Sequence, residues 1–509
     1  MTRPPPVIAM THTTLLIHNA TCIATHDHSD PTQSTEWREA SLFIRGHRIA
    51  WVGAAAHWPA ELAAEHAASG GETINAQGHL VTPGLVNTHH HMYQSLTRAV
   101  PAVQDAELFG WLRGLYPIWA GLTPEMVRVS TQTAMAELLL SGCTTSSDHL
   151  YIYPNGVRLD DSIEAAQDIG MRFVATRGSM SVGQSLGGLP PDEVVENEDA
   201  ILKDTQRLIE RHHRTGHGSM VNVAVAPCSP FSVSRDLMRL SAELARHHGA
   251  RLHTHLAEND HDLAYSREKF NCTPAQYAQD LGWLGPDVWH AHCVKLDGEG
   301  IGLFAATRTG VAHCPCSNMR LGSGIAPVRK MLNAGVAVGL GVDGSASNDA
   351  AHMVNEARQA LLLARVGRAL QPPETRTDPV TGQRRSFFGC DLGPAEMTAR
   401  DALHLATRGG AEVLGRAHDI GHIAVGMCAD VVLWDLGTLG FAGGAVHDPV
   451  ASLLLCASPQ AAYTVVNGKV VVRGGQLTTI DLGPLVEIHN RLALRLAATG
   501  TTKKRPGSL

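Results

Sequence analysis

Short apolar runs alternate with longer amphipathic stretches through the middle of the chain, between about residues 80 and 415. The runs have the length of buried strands, and the stretches between them have helical spacing. The predicted strands are residues 80–87, 144–148, 172–177, 221–226, 251–255, 288–292, 310–313 and 337–343. The predicted helices are residues 160–170, 199–213, 234–248 and 325–334, and a further helix begins after Thr123, an N-cap residue followed by proline.

Eight strand-then-helix units predict an α/β fold, a (β/α)8 TIM barrel, whose catalytic groups lie at the C-terminal ends of the strands. A doubly wound sheet is the weaker alternative, because no glycine-rich phosphate fingerprint follows any predicted strand. Both chain ends have β patterns instead, and the last of them turns at Asn467 and Gly468. They predict a small composite β-sandwich domain. The predicted division is 1–79 and 420–509 for that domain, including a terminal helix, and 80–419 for the barrel.

Two segments interrupt the alternation. Residues 99–122 are rich in aromatic side chains and are too long for an ordinary loop, so they predict either a lid over the site or a helix packed on the barrel mouth. Residues 371–398 begin with several prolines and mixed charges, which predicts an exposed, mobile loop without catalytic groups.

Composition excludes several classes of protein. The chain has 509 residues, 44% of them hydrophobic, which suffices for a large core in one domain with an appendage or in two to three domains. A net charge of -7 without a basic block argues against a nucleic-acid surface. Residues 1–10 lack the apolar core of an export signal, and residues 449–468 are too polar to span a membrane. We expect a cytoplasmic protein with a small-molecule partner.

The ten cysteines have no repeated spacing, and a chain with its own core does not need disulfides. Free thiols are therefore expected. Cys314 and Cys316 are separated by one proline and have no second pair, which favours buried structural cysteines over a metal site.

Histidine and aspartate recur where the predicted strands end. His89 and His91 follow the first strand on one face, and His90 faces the other way. Further polar strand ends are His253 and His255, His290 and His292, and Asp343. Buried imidazoles and carboxylates without partners are costly, so their joint presence indicates a site rather than packing.

Three neutral imidazoles and one carboxylate suit a single divalent ion such as Zn²⁺, with one position left for water. Fe²⁺ and Mn²⁺ accept similar ligands. The ion would lower the pKa of that water toward about 7, so hydroxide attack and a hydrolytic reaction are expected. No lysine lies at a strand end to bridge a second ion, which favours one metal.

Four motifs carry a resemblance to a known family. They are residues 83–91 (PGLVNTHHH), 255–258 (HLAE), 292–293 (HC) and 341–343 (GVD). They resemble the amidohydrolase superfamily, in its branch of cytosine/guanine-type deaminases with one metal. The β-rich ends match that family's composite sandwich, so the resemblance covers nearly the whole chain. Residues 92–101, 144–151 and 313–320 are most similar to deaminases that act on 8-oxoguanine, whereas residues 371–391 are longer than expected.

The resemblance implies a role for each matching residue. His89, His91, His255 and Asp343 would bind the metal, and His253 and His290 would be structural. The same comparison makes Glu258 the group that carries a proton to a ring nitrogen and gives His292 a hydrogen bond to the nucleophile or substrate. Asp343 would also accept the proton of the attacking water. The reaction needs at least two groups that exchange protons near neutral pH.

Four residues are candidates for substrate contact by their position near the strand ends. Gln94 lies close to the histidine pair, where it could meet a purine edge or cap a helix. Trp111 could stack on the ring or belong to the core. Arg177 and Asn318, near the ends of the third and seventh strands, are weaker candidates.

The resemblance implies hydrolytic deamination of an aminopurine, with 8-oxoguanine giving urate and ammonia. Guanine and hydroxyatrazine are the alternative substrates, the latter losing an alkylamino group through the same polar residues. A non-catalytic scaffold is a rival of another class, but it predicts lost ligands, and all of them are present. The family also suggests a homo-oligomer.

Overall fold

The computed structural model describes residues 14–29, 32, 34–371, 375–377, 382, 384–386, 396–456 and 459–502. Most of the predicted loop 371–398 lies outside the described residues, so its exposure and mobility stay predictions.

The strands within the described residues differ widely in length. In chain order they are β1 Thr14–Ala24, β2 Glu36–Arg45, β3 Arg48–Ala54, β4 Glu72–Asn75, β5 His79–Pro83, β6 Leu85–Asn87, β7 His90–His91, β8 Cys143–Leu150, β9 Arg172–Ser179, β10 Val221–Pro227, β11 Arg251–Leu256, β12 Val288–His292, β13 Gly310–His313, β14 Val338–Leu340, β15 Asp343–Gly344, β16 Thr375–Thr377, β17 Arg384–Ser386, β18 Val431–Asp435, β19 Tyr463–Val466, β20 Lys469–Arg473 and β21 Gln476–Leu477.

Most of the α-helices lie between barrel strands along the chain. In chain order they are α1 Ala60–Ser69, α2 Leu108–Trp119, α3 Pro124–Leu140, α4 Leu159–Ile169, α5 Glu198–His212, α6 Arg235–His247, α7 Asp260–Phe270, α8 Pro274–Asp280, α9 Gly298–Thr307, α10 Pro315–Arg320, α11 Val328–Asn333, α12 Met353–Ala369, α13 Ala399–His404, α14 Gly410–Val413, α15 Pro449–Leu455 and α16 Leu482–Thr502. A π-helical turn, Leu405–Gly409, joins α13 to α14.

Eight parallel strands close the barrel in the order β10-β11-β12-β13-β14-β6-β8-β9. This confirms the predicted (β/α)8 fold. The predicted helix start is also correct, because the Thr123 side chain accepts a hydrogen bond from the Met126 backbone amide. No helix in the described part of the chain is both long enough and apolar enough to cross a bilayer.

The two chain ends combine in one nine-stranded sheet, in which β18 of the C-terminal part pairs with β5 of the N-terminal part. The predicted composite β domain is therefore present. Its hairpin turns at Asn467 and Gly468, between β19 and β20, as the sequence predicts. A buried ion pair fastens this sheet to the barrel, since Arg172 of β9 contacts the Asp430 carboxylate at 3.0 Å.

The predicted strand 80–87 is wrong in one respect, because the structure divides it at Gly84. The residues before Gly84 belong to the composite sheet as β5, and the residues after it begin the barrel as β6. Any side chain at position 84 would collide with Thr144, whose Oγ1 lies 2.1 Å from the position of a Cβ atom. The predicted strand 337–343 is likewise divided into β14 and β15.

Candidate metal centre and active site

The first and the last barrel strands bring their polar ends together. Beyond β6 and β14, the short strands β7 and β15 pair in parallel, with Asp343 opposite His90. This pairing places Asp343 Oδ1 3.3 Å from His89 Nε2 and 3.4 Å from His91 Nε2. Gly341 permits the approach, because a Cβ atom there would lie 2.7 Å from the Cβ atom of His89.

His255, at the end of β11, completes the group, with its Nε2 3.2 Å from His91 Nε2. The outer nitrogen of each ring is held by a backbone carbonyl. His91 Nδ1 donates to the His149 carbonyl at 2.7 Å, and His255 Nδ1 donates to the Cys228 carbonyl at 2.5 Å. Both rings therefore present an unprotonated Nε2 to the centre of the group, as metal-ligating histidines require.

His89 acquires the same tautomer through a second histidine. His253 Nδ1 donates to the Trp289 carbonyl at 3.0 Å, so His253 Nε2 accepts from His89 Nδ1 at 2.8 Å. His89 Nε2 is then left as a buried acceptor without a hydrogen-bond partner. His253 is thus structural, as the resemblance implied, but it also orients His89.

The fourth candidate ligand, Asp343, has a left-handed backbone with φ at 60°. Its Oδ2 accepts from the Ser317 hydroxyl at 2.5 Å and from the Ser347 hydroxyl at 3.1 Å. Burial alone raises the pKa of Asp343, but the close approach of His89 and the imidazole of His292 outweigh burial and hold that pKa well below its usual value. The carboxylate is ionised at neutral pH.

The donor set fits a divalent metal ion. Burial lowers the pKa of His91, and it lowers the pKa of His255 to about 3, so the imidazoles are neutral and their lone pairs are available. Ligand atoms of His89, His91 and His255 lie within 4.8 Å of one another, together with one of His149. Three imidazoles and one ionised carboxylate suit a divalent ion of the zinc type.

His149 belongs to this cluster but was not predicted. Its Nε2 donates to the Ala226 carbonyl at 2.8 Å, and its Nδ1 is buried without a partner. The sequence signal that could have indicated His149 is its position in β8, where it follows a run of polar residues that are buried. His90, in contrast, uses its Nδ1 to accept from the His91 backbone amide and takes no part in the cluster.

Glu258 and His292 form a second polar pair beside the candidate ligands. Glu258 Oε2 lies 3.6 Å from His292 Nε2, which in turn lies 3.9 Å from Asp343 Oδ2. Burial, reinforced by the Asp262 and Asp343 carboxylates, raises the pKa of Glu258 well above its usual value. A carboxyl group that keeps its proton at neutral pH can serve as a general acid.

Asn318 lies behind His292 rather than in the cavity. Its Oδ1 accepts from His292 Nδ1 at 2.9 Å, which directs the other ring nitrogen toward Glu258 and Asp343. The amide is fully buried, and it is not among the described residues that line the cavity. The structure therefore places Asn318 in contact with a proposed catalytic residue and not with the space for substrate.

Arg177 is engaged away from the site. Its guanidinium binds the Glu196 carboxylate at 2.8 Å and the Asp204 carboxylate at 3.1 Å, and it covers the Tyr153 ring. It is not among the described residues around the cavity either. Two bound carboxylates leave this side chain no freedom to reach a ligand.

A cavity at the barrel mouth opens onto candidate ligands. Gln94 and Trp111 line it, whereas their contact with substrate stays a prediction. Both amide atoms of Gln94 are buried without a hydrogen-bond partner, whereas Trp111 Nε1 donates to the Ala346 carbonyl at 3.0 Å. The rest of the wall is mainly apolar and is formed by Leu108, Leu112, Tyr116, Tyr151, Phe231 and Leu321. The segment 99–122 contains α2, which supplies much of this wall.

A larger groove lies elsewhere, between α11 and α12. Its lining includes His313, Leu363 and Lys295, and none of the candidate ligands. The smaller cavity is the candidate active site because the buried titratable groups converge there.

Comparisons with known proteins agree with this geometry. A profile of the amidohydrolase family matches residues 80–476. The chain is 45% identical over 427 residues to an 8-oxoguanine deaminase from Pseudomonas aeruginosa, covering 84% of this chain and 89% of that protein. It is 38% identical over 450 residues to an isoxanthopterin deaminase from an unknown prokaryotic organism, covering 86% of this chain and 88% of the relative.

Among solved structures, an atrazine chlorohydrolase from Arthrobacter aurescens TC1, complexed with zinc, is similar with a TM-score of 0.83. The two chains are 32% identical, and the match covers 94% of this chain and 100% of the other. The family profile spans most of the barrel and reaches the C-terminal strands of the composite sheet, so the chain belongs to the amidohydrolase family.

Proposed function

We propose that this chain is a metal-dependent hydrolase that deaminates an aminopurine, with 8-oxoguanine as substrate and urate and ammonia as products. The observation that carries this proposal is the buried Glu258 carboxyl, which lies beside His292 and lines a cavity shared with the candidate ligands. Similarity to an 8-oxoguanine deaminase over most of both chains supports the choice of substrate.

The proposed ligands are His89, His91, His255 and Asp343, and we propose one zinc ion for this site. A bound ion of this kind supplies Lewis acidity that activates water for attack near neutral pH. The three imidazoles would hold the ion through Nε2, because their Nδ1 protons are committed to His253 and to two backbone carbonyls. The zinc-complexed relative supports this metal.

Glu258 is proposed to deliver a proton to the ring nitrogen next to the carbon under attack. Its raised pKa keeps the carboxyl protonated at neutral pH, and its Oε1 is buried without a partner in the described structure. Donation of this proton makes the adjacent carbon more electrophilic. The carboxylate left behind can then accept a proton and return it to the departing amino group.

Asp343 and His292 are proposed to handle the proton of the attacking water. Asp343 is ionised, and its Oδ2 lies 3.9 Å from His292 Nε2. Asn318 holds the opposite nitrogen of His292, so the ring cannot turn away. A proton accepted by Asp343 therefore has a short path to the substrate oxygen or the leaving group.

Gln94 and Trp111 are proposed to recognise the ring. The Gln94 amide offers a donor and an acceptor, both without partners in the described structure, which suits the amide edge of an oxidised purine. Trp111 provides an aromatic surface in the wall of the same cavity.

Hydrolysis of a hydroxylated s-triazine is the second candidate function. The fold is similar to that of an atrazine chlorohydrolase over nearly the full length of both chains. Only the cavity walls, including Gln94, would distinguish a triazine from a purine.

The test is a screen of ammonia or alkylamine release from 8-oxoguanine, guanine, isoxanthopterin and hydroxyatrazine, with Glu258→Gln as the inactive control. The highest kcat/KM is expected on 8-oxoguanine. Turnover of hydroxyatrazine alone would overturn the proposed substrate. The cytoplasmic location, the homo-oligomer and the division into residues 1–79, 80–419 and 420–509 stay predictions.

A further inference from the structure

A second group of three histidines lies outside the candidate active site. His26 and His28 follow β1 of the composite sheet, and His404 is the last residue of α13. Each offers a ring nitrogen, and the three nitrogens lie within 4.8 Å of one another. Residues far apart in the chain are thus brought together by the packing of the sheet against the end of the barrel.

The rings are in the state that a metal requires. No ring nitrogen of the three histidines is hydrogen-bonded to another residue in the described part of the chain. Burial, together with the neighbouring His404 and His28 rings, lowers the pKa of His26 to about 3, and burial also lowers the pKa of His404. Both imidazoles are neutral at physiological pH and keep a free lone pair.

The backbone holds these side chains in place. Ile423 donates its backbone amide to the Thr25 carbonyl at 2.8 Å, next to His26. His26 itself has a left-handed backbone with φ at 51°. On the other side, a capping box at Thr398 fixes the start of α13, which carries His404. Because these hydrogen bonds already order the backbone around the histidines, little conformational entropy is lost when the site binds an ion.

The charges around the group permit a cation. The nearest arginines are already paired, Arg400 with Glu36 and Asp448, and Arg408 with Glu412. Their positive charge is therefore largely compensated.

Access to the group is also open. His26 is 6% exposed, but His28 is exposed, so an ion can enter from solvent. Burial is outweighed by hydrogen bonds from Ser29, which lower the pKa of Asp27, and the Asp27 carboxylate adds negative charge beside the group.

We propose that His26, His28 and His404 bind a second divalent ion of the zinc, nickel or copper type. Three imidazoles form a set that such borderline ions prefer over magnesium or calcium. The bound ion would tie the segment after β1 to the end of α13 and so fasten the composite sheet to the barrel. Its effect is on stability, because none of the three histidines lines the candidate active-site cavity.

The test uses the full-length protein dialysed against micromolar zinc, followed by metal analysis. About two zinc ions per chain are expected for the unsubstituted protein, and about one for His28→Ala and for His404→Ala. Turnover of both variants should be unchanged. His57→Ala, which removes an exposed histidine of the same sheet domain, is the matched control and should keep both ions.

The background His255→Ala separates this site from the active site. In that background one zinc ion should remain, and adding His28→Ala should remove it. Zinc should also raise the melting temperature of the His255→Ala protein but not that of the double variant. Equal zinc content in the unsubstituted protein, His28→Ala and His404→Ala would overturn the proposal.

Discussion

The two sides of the cavity are built in different ways. The polar floor consists of residues at or just beyond the ends of barrel strands: His91, His255, Glu258, His292 and Asp343, with the buried His89 beside Asp343. The apolar wall is supplied largely by α2 and by loops, through Leu108, Trp111, Leu112, Phe231 and Leu321. The floor comes from the most regular part of the fold and the wall from the least regular part.

This difference separates the residues that would carry out the reaction from the residues that would select the substrate. In the floor, each imidazole is oriented by a hydrogen bond to a fixed acceptor, as His91 is by the His149 carbonyl. The wall is held mainly by apolar packing, and its shape can change without moving a ligand. Substitutions in the floor should therefore affect the chemical step, whereas substitutions in the wall should affect the choice of ring.

The largest effect is expected from loss of a proposed ligand. His255→Ala should lower kcat/KM by about 10⁴-fold, because several kcal/mol of metal-derived stabilisation disappear with the ion. Chelation of the metal from the unsubstituted protein should have the same effect, and added zinc should restore activity only there. Normal metal content and normal turnover in the His255→Ala protein would show that His255 is not a metal ligand.

Loss of the proposed general acid comes next. Glu258→Gln should lower kcat by about 10³-fold while the metal content stays normal. Because the pKa of Glu258 is raised, its acid form prevails at neutral pH, and kcat should fall as pH rises through that pKa. The variant should lack this decline. Glu268→Gln, at an exposed position of α7, should retain both activity and pH profile.

A smaller effect is expected behind the floor, at His253. His253→Phe removes the acceptor for His89 Nδ1 and should weaken metal binding by about 10- to 100-fold. His253→Gln keeps an acceptor in the same region and should recover part of the affinity. Competition with a chelator measures both values. Equal metal affinity in all three proteins would show that His89 does not depend on this contact.

The smallest effect is expected in the wall. Trp111→Leu should raise KM for a purine by about tenfold with little change in kcat, because ring contact is lost while the floor is intact. The smaller triazine ring should be less affected. The control Trp51→Phe lies in the composite sheet and should leave kinetics unchanged. A large loss of kcat in Trp111→Leu would instead show that this part of the wall contributes to the chemical step.

Sequence patterns predicted the barrel because strand and helix periods alternate, and they predicted candidate ligands because histidine and aspartate recur at strand ends. They failed where a contact between residues distant in sequence affects the local structure. An apparently continuous strand divides at Gly84, where Thr144 leaves no space for a Cβ atom. The periodicity of residues 80–87 carries no trace of that contact.

The sequence also did not predict the direction in which side chains point. Arg177 and Asn318 stand near strand ends, as predicted, but one binds two carboxylates and the other supports His292. Position along a strand indicates which residues can approach the mouth of a barrel. It does not indicate which partner each residue finds there, since those partners come from distant parts of the chain.

The sequence by itself determined the fold class, the family resemblance and the residue types available at the barrel mouth, because these depend on local periodicity and on short motifs. Only the tertiary structure decided the tautomers of the proposed ligands, the raised pKa of Glu258 and the meeting of His26 and His28 with His404. The physical reason is that burial and hydrogen bonding depend on neighbours, and the neighbours of these side chains are brought together only when the barrel closes.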